Sequence, residues 1–201
     1  AKDENIFGVR LLNERDTTIY KYEGGLLITA VGKRLKLINI VSVEEYLKGV
    51  MKAECGELDE PEFLKAMAVV SRTYTLRNMY RHVGEGYDLC DKVHCQVYKG
   101  MNDVSDKIIK AIDETSDEVI VDRSRNLINA VFHSNSGGQT LGAESVWSSK
   151  EPYLKSKPDP FSAYGTRYVW TKTISVDDFK KYVSKKTGTP SMKSYLRNQF
   201  T

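Results

Sequence analysis

Two charged residues, Glu54 and Arg72, have the types and positions that acid–base chemistry requires. Glu54 falls in the last turn of a predicted helix, where the helix dipole disfavours a negative charge. Arg72 lies on the apolar face of the next predicted helix, where an Arg usually meets a carboxylate or a ligand. The pair has two interpretations: a structural ion pair between connected helices, or an acid and a positive clamp that face one cleft.

The second interpretation implies a particular reaction. A single Glu in apolar surroundings can protonate a glycosidic oxygen. Hydrolysis of that bond normally takes two carboxylates. Attack by a hydroxyl group of the same sugar needs only one, because the same Glu can then accept the proton of that hydroxyl. A positive charge close to Glu54 would favour its ionised form, so we expect Arg72 to be held off it, on a carboxylate or carbonyl group of the substrate.

A second group of candidates comprises His82, Cys90, His94 and Cys95. Zinc takes thiolates and imidazoles in tetrahedral sites, so these four side chains form a candidate zinc site. Their spacing is irregular and matches no standard zinc finger. The alternatives are a Cys90–Cys95 disulfide beside surface histidines, or neither. With Cys55, the cysteine count is three, and an odd count argues against a simple disulfide framework.

The third candidate is the stretch HSNSGG, which begins at His133 and opens a long polar segment over residues 133–163. A loop of this length in a compact domain is usually functional. Ser134 or Ser136 as a nucleophile with His133 as its base is conceivable, but the stretch has no nucleophile-elbow pattern. We favour a polar wall that lines a sugar site, and a plain turn after a strand is the alternative.

The fourth candidate is the stretch PYLKS with Trp147 upstream of it. Trp147 and Tyr153 carry aromatic rings of the kind that stack on sugar faces, and Lys155 is suited to hold an anionic group. Taken alone, the two aromatic residues are more often surface packing.

Helices position the first two candidates. Ser42 and Glu45 form the capping-box pattern that starts a helix, and Gly56 ends that helix. Pro61 starts a second helix, which we expect to end near Tyr80. Apolar periodicity predicts two further helices, from Asp103 or Ser105 to Ser116 and from Ser175 to about Lys186.

The strand signals are short. Residues 6–40 read as a β-meander, residues 118–122 and 127–132 as a hairpin, and residues 96–98 and 168–174 as single strands. We therefore predict a mixed α/β fold of the α+β class. Its β-meander and hairpin strands would pack with three to four helices around a long cleft.

Length and composition bound the function. With 201 residues, 40% of them hydrophobic and 28% charged, the chain suits one soluble domain over residues 1–201, in which residues 1–40 form a small strand-rich lobe. The net charge of +3 comes without a block of Lys and Arg, which argues against a nucleic-acid partner. No apolar run approaches the roughly 18 residues of a membrane span. The opening AKDEN carries no signal peptide and looks like a mature or trimmed start.

Five stretches together resemble, in content and order, the stage II sporulation protein D family of bacterial cell-wall lytic transglycosylases. They cover roughly residues 41–159 and read SVEEYLKGVMKAE, LKAMAVVSRTY, CDKVHCQVYKG, VFHSNSGGQT and ESVWSSKEPYLKS. The resemblance implies that Glu54 is the catalytic acid and base. It also implies a set of cleft residues: Arg72, Tyr74, Gln96, Tyr98, His133, Ser134, Ser136, Tyr153 and Lys155.

The resemblance further implies a substrate and a product. The substrate is the glycan strand of peptidoglycan stripped of stem peptides. The strand is cut between N-acetylmuramic acid and N-acetylglucosamine, and the muramoyl C6 hydroxyl attacks its own C1 to leave a 1,6-anhydro end. Some family members bind zinc in the region that matches residues 82–95, which makes a structural Zn²⁺ the expected cofactor. The chemistry itself requires none.

The resemblance also bears on location and partners. It implies an extracytoplasmic protein, secreted or membrane-anchored, whose signal or anchor is absent from this chain, with a cell-wall amidase and a membrane complex as partners. One branch of the family is described as amidase enhancers, so a non-catalytic glycan-binding module that stimulates an amidase is the alternative function. Cys55-Gly56 departs from the family, which often has Met-Pro after the catalytic Glu, so local geometry there is expected to differ.

Overall fold

The computed structural model of the protein describes residues 5–10, 17–56, 60–147, 150–165 and 167–187, with the backbone alone at 185–187. The chain divides into two compact units, Ala1–Phe132 and His133–Thr201. The single-domain prediction did not include this division. The described residues up to position 40 lie in the first unit and contact later parts of the chain, and the small strand-rich lobe at residues 1–40 stays a prediction. The N–H of Met101 donates to the carbonyl of Lys21 at 2.8 Å.

Three helices form the centre of the first unit: α1 (Val43–Cys55), α2 (Pro61–Asn78) and α3 (Asp106–Glu114). The hydroxyl of Ser42 caps α1 by accepting from the N–H of Glu45 at 3.3 Å, as the sequence pattern predicts. Ser105 caps α3 in the same way, through the N–H of Ile108 at 3.4 Å. The bounds of α1 and α3 follow the prediction closely, and α2 ends two residues before Tyr80.

The core lies where these three helices meet. Its buried side chains come from all three: Leu47, Met51, Cys55, Leu64, Met67, Ala68, Ile108, Ala111 and Ile112. Each large apolar side chain contributes about 1.5–3 kcal/mol when it is fully buried, so this contact holds α1 and α2 rigidly beside each other.

Four strands precede the helices and form two separate antiparallel pairs. Strand β1 (Ile6–Val9) pairs with β2 (Tyr20–Glu23), and β3 (Gly25–Val31) pairs with β4 (Arg34–Ile40). Within the described residues, β2 and β3 are not paired with each other, which differs from the predicted meander. Gly24 separates them with a φ of +93°, and a side chain there would collide with the carbonyl oxygen of Ile40. The α+β class is confirmed.

Aromatic contacts connect the strands to α1. The Phe7 ring stacks on Tyr22, Tyr22 meets the edge of Tyr98, and Tyr98 lies against Tyr46 of α1 with 4.7 Å between ring centroids. Asn39 of β4 adds a polar tie, because its Oδ1 accepts from the Tyr98 hydroxyl at 2.8 Å. The segment that contains Tyr98 is therefore held between the strands and α1.

The predicted hairpin over residues 118–132 is reduced to one bridge, between Val121 and Leu127. Two backbone hydrogen bonds flank this bridge, from the N–H of Asp122 to the Asn126 carbonyl at 2.8 Å and from the N–H of Ile128 to the Ile120 carbonyl at 3.2 Å. Side chains of α2 bind the outer groups: Thr73 accepts from the N–H of Ile120 at 3.0 Å, and Arg77 donates to the carbonyl of Leu127 at 2.9 Å. The single strand predicted at residues 96–98 is also not formed.

The second unit contains α4 (Ala143–Trp147), a 3₁₀ turn at Pro160–Tyr164 and α5 (Val176–Thr187). Ser175 begins α5 as predicted, with its hydroxyl accepting from the N–H of Asp178 at 3.1 Å. Residues 168–174 form no strand, because no other described segment pairs with them. Among the described residues, no helix combines the length and the apolar character needed to cross a membrane.

Candidate functional site

Glu54 lies in the last turn of α1 and is half-buried. One carboxylate oxygen, Oε1, accepts from the backbone N–H of Val97 at 3.3 Å. Within the described part of the chain, the other oxygen makes no hydrogen bond. Burial and, secondarily, the charge of Glu54 raise the pKa of the adjacent Cys55 thiol to about 11. Cys55 is therefore a neutral core side chain and not a nucleophile.

Val97 is held in place by its two neighbours. The side chain of Gln96 is buried and bonded at both ends. Its Oε1 accepts from the Thr75 hydroxyl at 2.8 Å, and its Nε2 donates to the Ser71 backbone carbonyl at 3.3 Å. On the other side, Tyr98 is fixed by Asn39 and by α1. Side chains, rather than a strand partner, thus anchor this segment, which is why no strand forms there.

Arg72 is bound by Glu44 from the first turn of α1. Its Nε and Nη2 donate to the two carboxylate oxygens of Glu44 at 2.8 and 2.7 Å, and the guanidinium also donates to the carbonyls of Ile112 and Glu118. Arg72 is 1% exposed. The ion pair of Arg72 is thus with Glu44 and not with Glu54, as the first interpretation had it, and it keeps the positive charge off Glu54.

Three of the expected cleft residues are buried. Arg72, Gln96 and Tyr98 are 1%, 5% and 8% exposed, and each has its polar atoms bonded inside the protein. These bonds give the three side chains a supporting role in the fold, and their contact with a glycan stays a prediction. Tyr74 is half-buried and its hydroxyl accepts from Arg81 at 3.1 Å, so substrate contact by Tyr74 stays a prediction.

The structure brings His82, Cys90, His94 and Cys95 together, with their ligand atoms all within 4.8 Å of one another. Cys95 Sγ lies 3.4 Å from His82 Nε2 and 3.6 Å from His94 Nδ1, and Cys90 Sγ lies 3.8 Å from His94 Nδ1. Zn–S and Zn–N bonds of about 2.3 and 2.0 Å imply an S···N edge of about 3.5 Å in a tetrahedron. Two thiolates and two imidazoles at these separations fit a zinc ion.

The electrostatics of the cluster suit Cys90 as a metal ligand better than Cys95, because burial raises the pKa of the Cys95 thiol. Burial raises the pKa of Cys90, but hydrogen bonds from the Lys92 backbone and from neighbouring side chains, His94 first, outweigh it and lower that pKa to about 7. The hydrogen bond that His82 donates to Glu85 raises the pKa of His82. Both Cys90 and Cys95 are free, so the disulfide alternative is not formed in this structure.

The HSNSGG stretch of the second unit forms a turn fixed by side chains. The hydroxyl of Ser136 donates to the carboxylate of Asp159 at 2.6 Å, and Asn135 donates to the Ser162 carbonyl at 2.8 Å. His133 and Ser134 are exposed. Ser136 is thus hydrogen-bonded to Asp159. A role for His133, Ser134 and Ser136 in glycan binding stays a prediction.

The other candidates of the second unit follow this turn along the chain. Thr140 accepts from the N–H of Lys157 at 2.9 Å, which ties the segment after the turn to the one that follows PYLKS. Lys155 is exposed and Tyr153 is half-buried. Their contact with a glycan, and the long cleft itself, remain predictions.

The sequence interpretation missed several residues that build the site. Glu44 and Asp159 are the partners of Arg72 and Ser136, and Glu85 and Tyr87 surround His82. Glu85 and Tyr87 had a usable signal, since they lie three and five residues after a candidate ligand in a glycine-rich loop. Glu44 and Asp159 lie 28 and 23 residues from their partners along the chain.

Comparison with known proteins agrees with the resemblance. Residues 31–121 match the SpoIID family model, described as a stage II sporulation protein. Stage II sporulation protein D from Bacillus amyloliquefaciens is 33% identical over 156 residues, which are 70% of this chain and 45% of that protein. Its counterpart from Bacillus subtilis (strain 168) is 31% identical over 156 residues, which again are 70% of this chain and 45% of that protein. A Bacillus subtilis protein named amidase enhancer is 34% identical over 129 residues, 64% of this chain and 17% of that protein. The match thus spans about half the length of the two sporulation relatives.

Proposed function

Because this chain belongs to the stage II sporulation protein D family, we propose that it is a peptidoglycan lytic transglycosylase. It cleaves the bond between N-acetylmuramic acid and N-acetylglucosamine in glycan strands that lack stem peptides. The observation that carries the proposal is the state of Glu54. It is a half-buried carboxyl group at a helix end, with one oxygen held by the N–H of Val97 and the other without a hydrogen bond to any described residue.

The proposed reaction uses Glu54 twice. Glu54 first donates a proton to the glycosidic oxygen, the bond from that oxygen to muramoyl C1 breaks, and positive charge develops at C1. The C6 hydroxyl of the same sugar then bonds to C1, and its proton passes to Glu54. The acid is thereby restored, and the products are a 1,6-anhydro-muramoyl end and a free N-acetylglucosamine hydroxyl.

The ion pair between Arg72 and Glu44 supports this role. A guanidinium beside Glu54 would favour its ionised form and oppose proton donation. Instead, Nε and Nη2 of Arg72 both donate to the carboxylate of Glu44. A residue of the protein, rather than a substrate group, therefore holds Arg72 away from Glu54.

We further propose that His82, Cys90, His94 and Cys95 hold a structural zinc ion. Sites with four protein ligands are closed and structural, whereas catalytic zinc sites keep one position open. A bound Zn²⁺ would cross-link the loop at residues 82–95. Cys95 lies two residues before Val97, so the cross-link would reach the segment that contacts Glu54.

The setting follows from the substrate. Peptidoglycan lies outside the cytoplasmic membrane, so we propose an extracytoplasmic protein, with glycan strands as its ligand and a cell-wall amidase and a membrane complex as partners in the cell.

The alternative function is a non-catalytic glycan-binding module that enhances a partner cell-wall amidase. The relative named amidase enhancer favours it, at 34% identity. Under this alternative, glycan binding and amidase stimulation both survive replacement of Glu54.

Mass spectrometry of the products from peptide-free glycan strands tests the two functions. The experiment compares the wild type, Glu54→Gln and Glu45→Gln, the last as a matched control on the same helix. We expect 1,6-anhydro-muramoyl ends from the wild type and the control and none from Glu54→Gln. Reducing ends instead would indicate a hydrolase, and glycan binding without any product would favour the binding module.

A further inference from the structure

A set of hydrogen bonds surrounds the outer edge of His82, on the side away from the two cysteines. Its Nδ1 lies 2.6 Å from Oε1 of Glu85. The second carboxylate oxygen of Glu85 accepts from the hydroxyl of Tyr87 at 2.9 Å. Both oxygens of Glu85 are therefore committed, and its carboxylate is fixed in orientation against the imidazole.

The backbone and the neighbouring rings hold this arrangement rigidly. The His82 ring stacks on Tyr87 with 4.9 Å between centroids and 22° between planes. Lys36 of β4 donates to the carbonyl of Glu85 at 2.6 Å, and its Nζ lies 5.6 Å from the centre of the Tyr87 ring. The N–H of Glu85 donates to the His82 carbonyl at 2.8 Å, which closes the 3₁₀ turn between them.

This geometry determines which nitrogen of His82 is available. A carboxylate at Nδ1 requires a proton there, and a neutral imidazole with its proton on Nδ1 presents the lone pair of Nε2. Nε2 is the atom that lies 3.4 Å from the Cys95 sulfur, inside the cluster. A carboxylate–histidine pair of this kind fixes the ring orientation and increases the basicity of the ligand nitrogen.

We propose that Glu85 is the positioning residue of the metal site, which orients His82 and strengthens it as a ligand, and that Tyr87 supports Glu85. The proposal rests on the zinc site proposed above. It is specific to His82, because His94 is exposed and directs Nδ1, not Nε2, toward both cysteines.

The test measures zinc affinity by competition with a chromophoric chelator, with no assay of activity. Loss of an outer-shell partner typically weakens metal binding about 10–100-fold, so we expect this loss for Glu85→Ala. Glu85→Gln keeps the side-chain shape and should lose part of the zinc affinity. Tyr87→Phe should lose less affinity than either variant of Glu85. Glu62→Ala is the matched control, because Glu62 is also an exposed carboxylate that pairs with a nearby cation, Lys65.

A double-mutant cycle separates positioning from a general charge effect. In a His82→Ala background, Glu85→Ala should cause no further loss, since there is no imidazole left to orient. Cobalt(II) substitution provides a spectroscopic readout, because the visible absorption of the Glu85→Ala protein should change with the orientation of His82.

The possible failures are distinguishable. No zinc binding by the wild type would overturn the proposed metal site and this inference with it. Wild-type binding with equal affinity in Glu85→Ala would overturn this inference alone. Equal losses from Glu85→Ala with and without His82 would also overturn it, because the carboxylate would then act through its charge. Circular dichroism confirms that each variant is folded before titration.

Discussion

The backbone N–H of Val97 lies 3.3 Å from Oε1 of Glu54, and this contact joins the end of α1 to the segment that contains Cys95. Val97 itself is a half-buried apolar residue with no chemistry of its own. Its buried neighbours, Gln96 and Tyr98, determine where its N–H points. The proposed acid therefore depends on a backbone group that other side chains position.

Replacing Glu54 by Gln should abolish turnover while the protein stays folded. Gln keeps an acceptor for the N–H of Val97 but cannot donate a proton as an acid, and general acid–base catalysis contributes about 10²–10⁴-fold. The measurement is the rate of release of 1,6-anhydro products, beside thermal unfolding. Turnover at the wild-type rate would remove Glu54 from the mechanism.

Replacing Arg72 by Met should destabilise the fold without weakening glycan binding by the folded protein. Breaking a buried ion pair typically costs about 3–5 kcal/mol. Because Glu44 is partly exposed, with 35% of its side chain accessible, we expect a loss of about 3 kcal/mol. Urea unfolding gives the stability, and glycan binding is measured well below the unfolding temperature. Unchanged stability with weakened binding would show that Arg72 contacts the substrate.

Removing the hydroxyl of Tyr98 should have a small effect. Tyr98→Phe loses the hydrogen bond to Asn39, which is worth about 0.5–1.5 kcal/mol, and keeps the ring contacts with α1. Glycan affinity should stay at the wild-type value in a sedimentation assay with glycan strands. A loss of binding at normal stability would show that the hydroxyl contacts the substrate.

Replacing Gly49 by Ala should disturb the packing of α1 against the segment that contains Tyr98. A Cβ there would collide with the Gly100 carbonyl and lie 2.6 Å from Tyr98 Cε2. Overpacking of this kind costs about 1–3 kcal/mol, against about 1 kcal/mol that Ala gains over Gly in a helix. We expect lower stability in urea and, because Tyr98 adjoins Val97, slower turnover. Gly84→Ala is the control, since the space around it is open.

Chelation should lower thermal stability and activity together. A structural zinc stabilises only the folded protein, so its removal lowers the unfolding temperature by about 2–4 °C for each kcal/mol of lost binding energy. The measurement is thermal unfolding with and without chelator, followed by readdition of zinc. Loss of activity at an unchanged unfolding temperature would indicate a catalytic metal, as in a zinc hydrolase.

Local patterns predicted the helices well, because their signals lie within a few residues of each other. Ser42 and Ser105 cap α1 and α3 as their positions indicate, and Pro61 begins α2. The strands were predicted less well. Residues 118–132 pair only around Val121 and Leu127, and beyond that bridge the N–H of Ile120 donates to Thr73 of α2 instead of to a strand.

The sequence by itself determined the family, the helix bounds and the residue types that a metal and an acid require. Only the tertiary structure decided which partners each candidate meets. Arg72 meets Glu44 and the carbonyl of Glu118, which lie 28 and 46 residues away along the chain, and Gln96 meets Thr75 across 21 residues. Polar side chains in a core must find partners, and those partners come from whichever elements pack nearby. Their identity depends on the packing of the helices and not on any spacing along the chain.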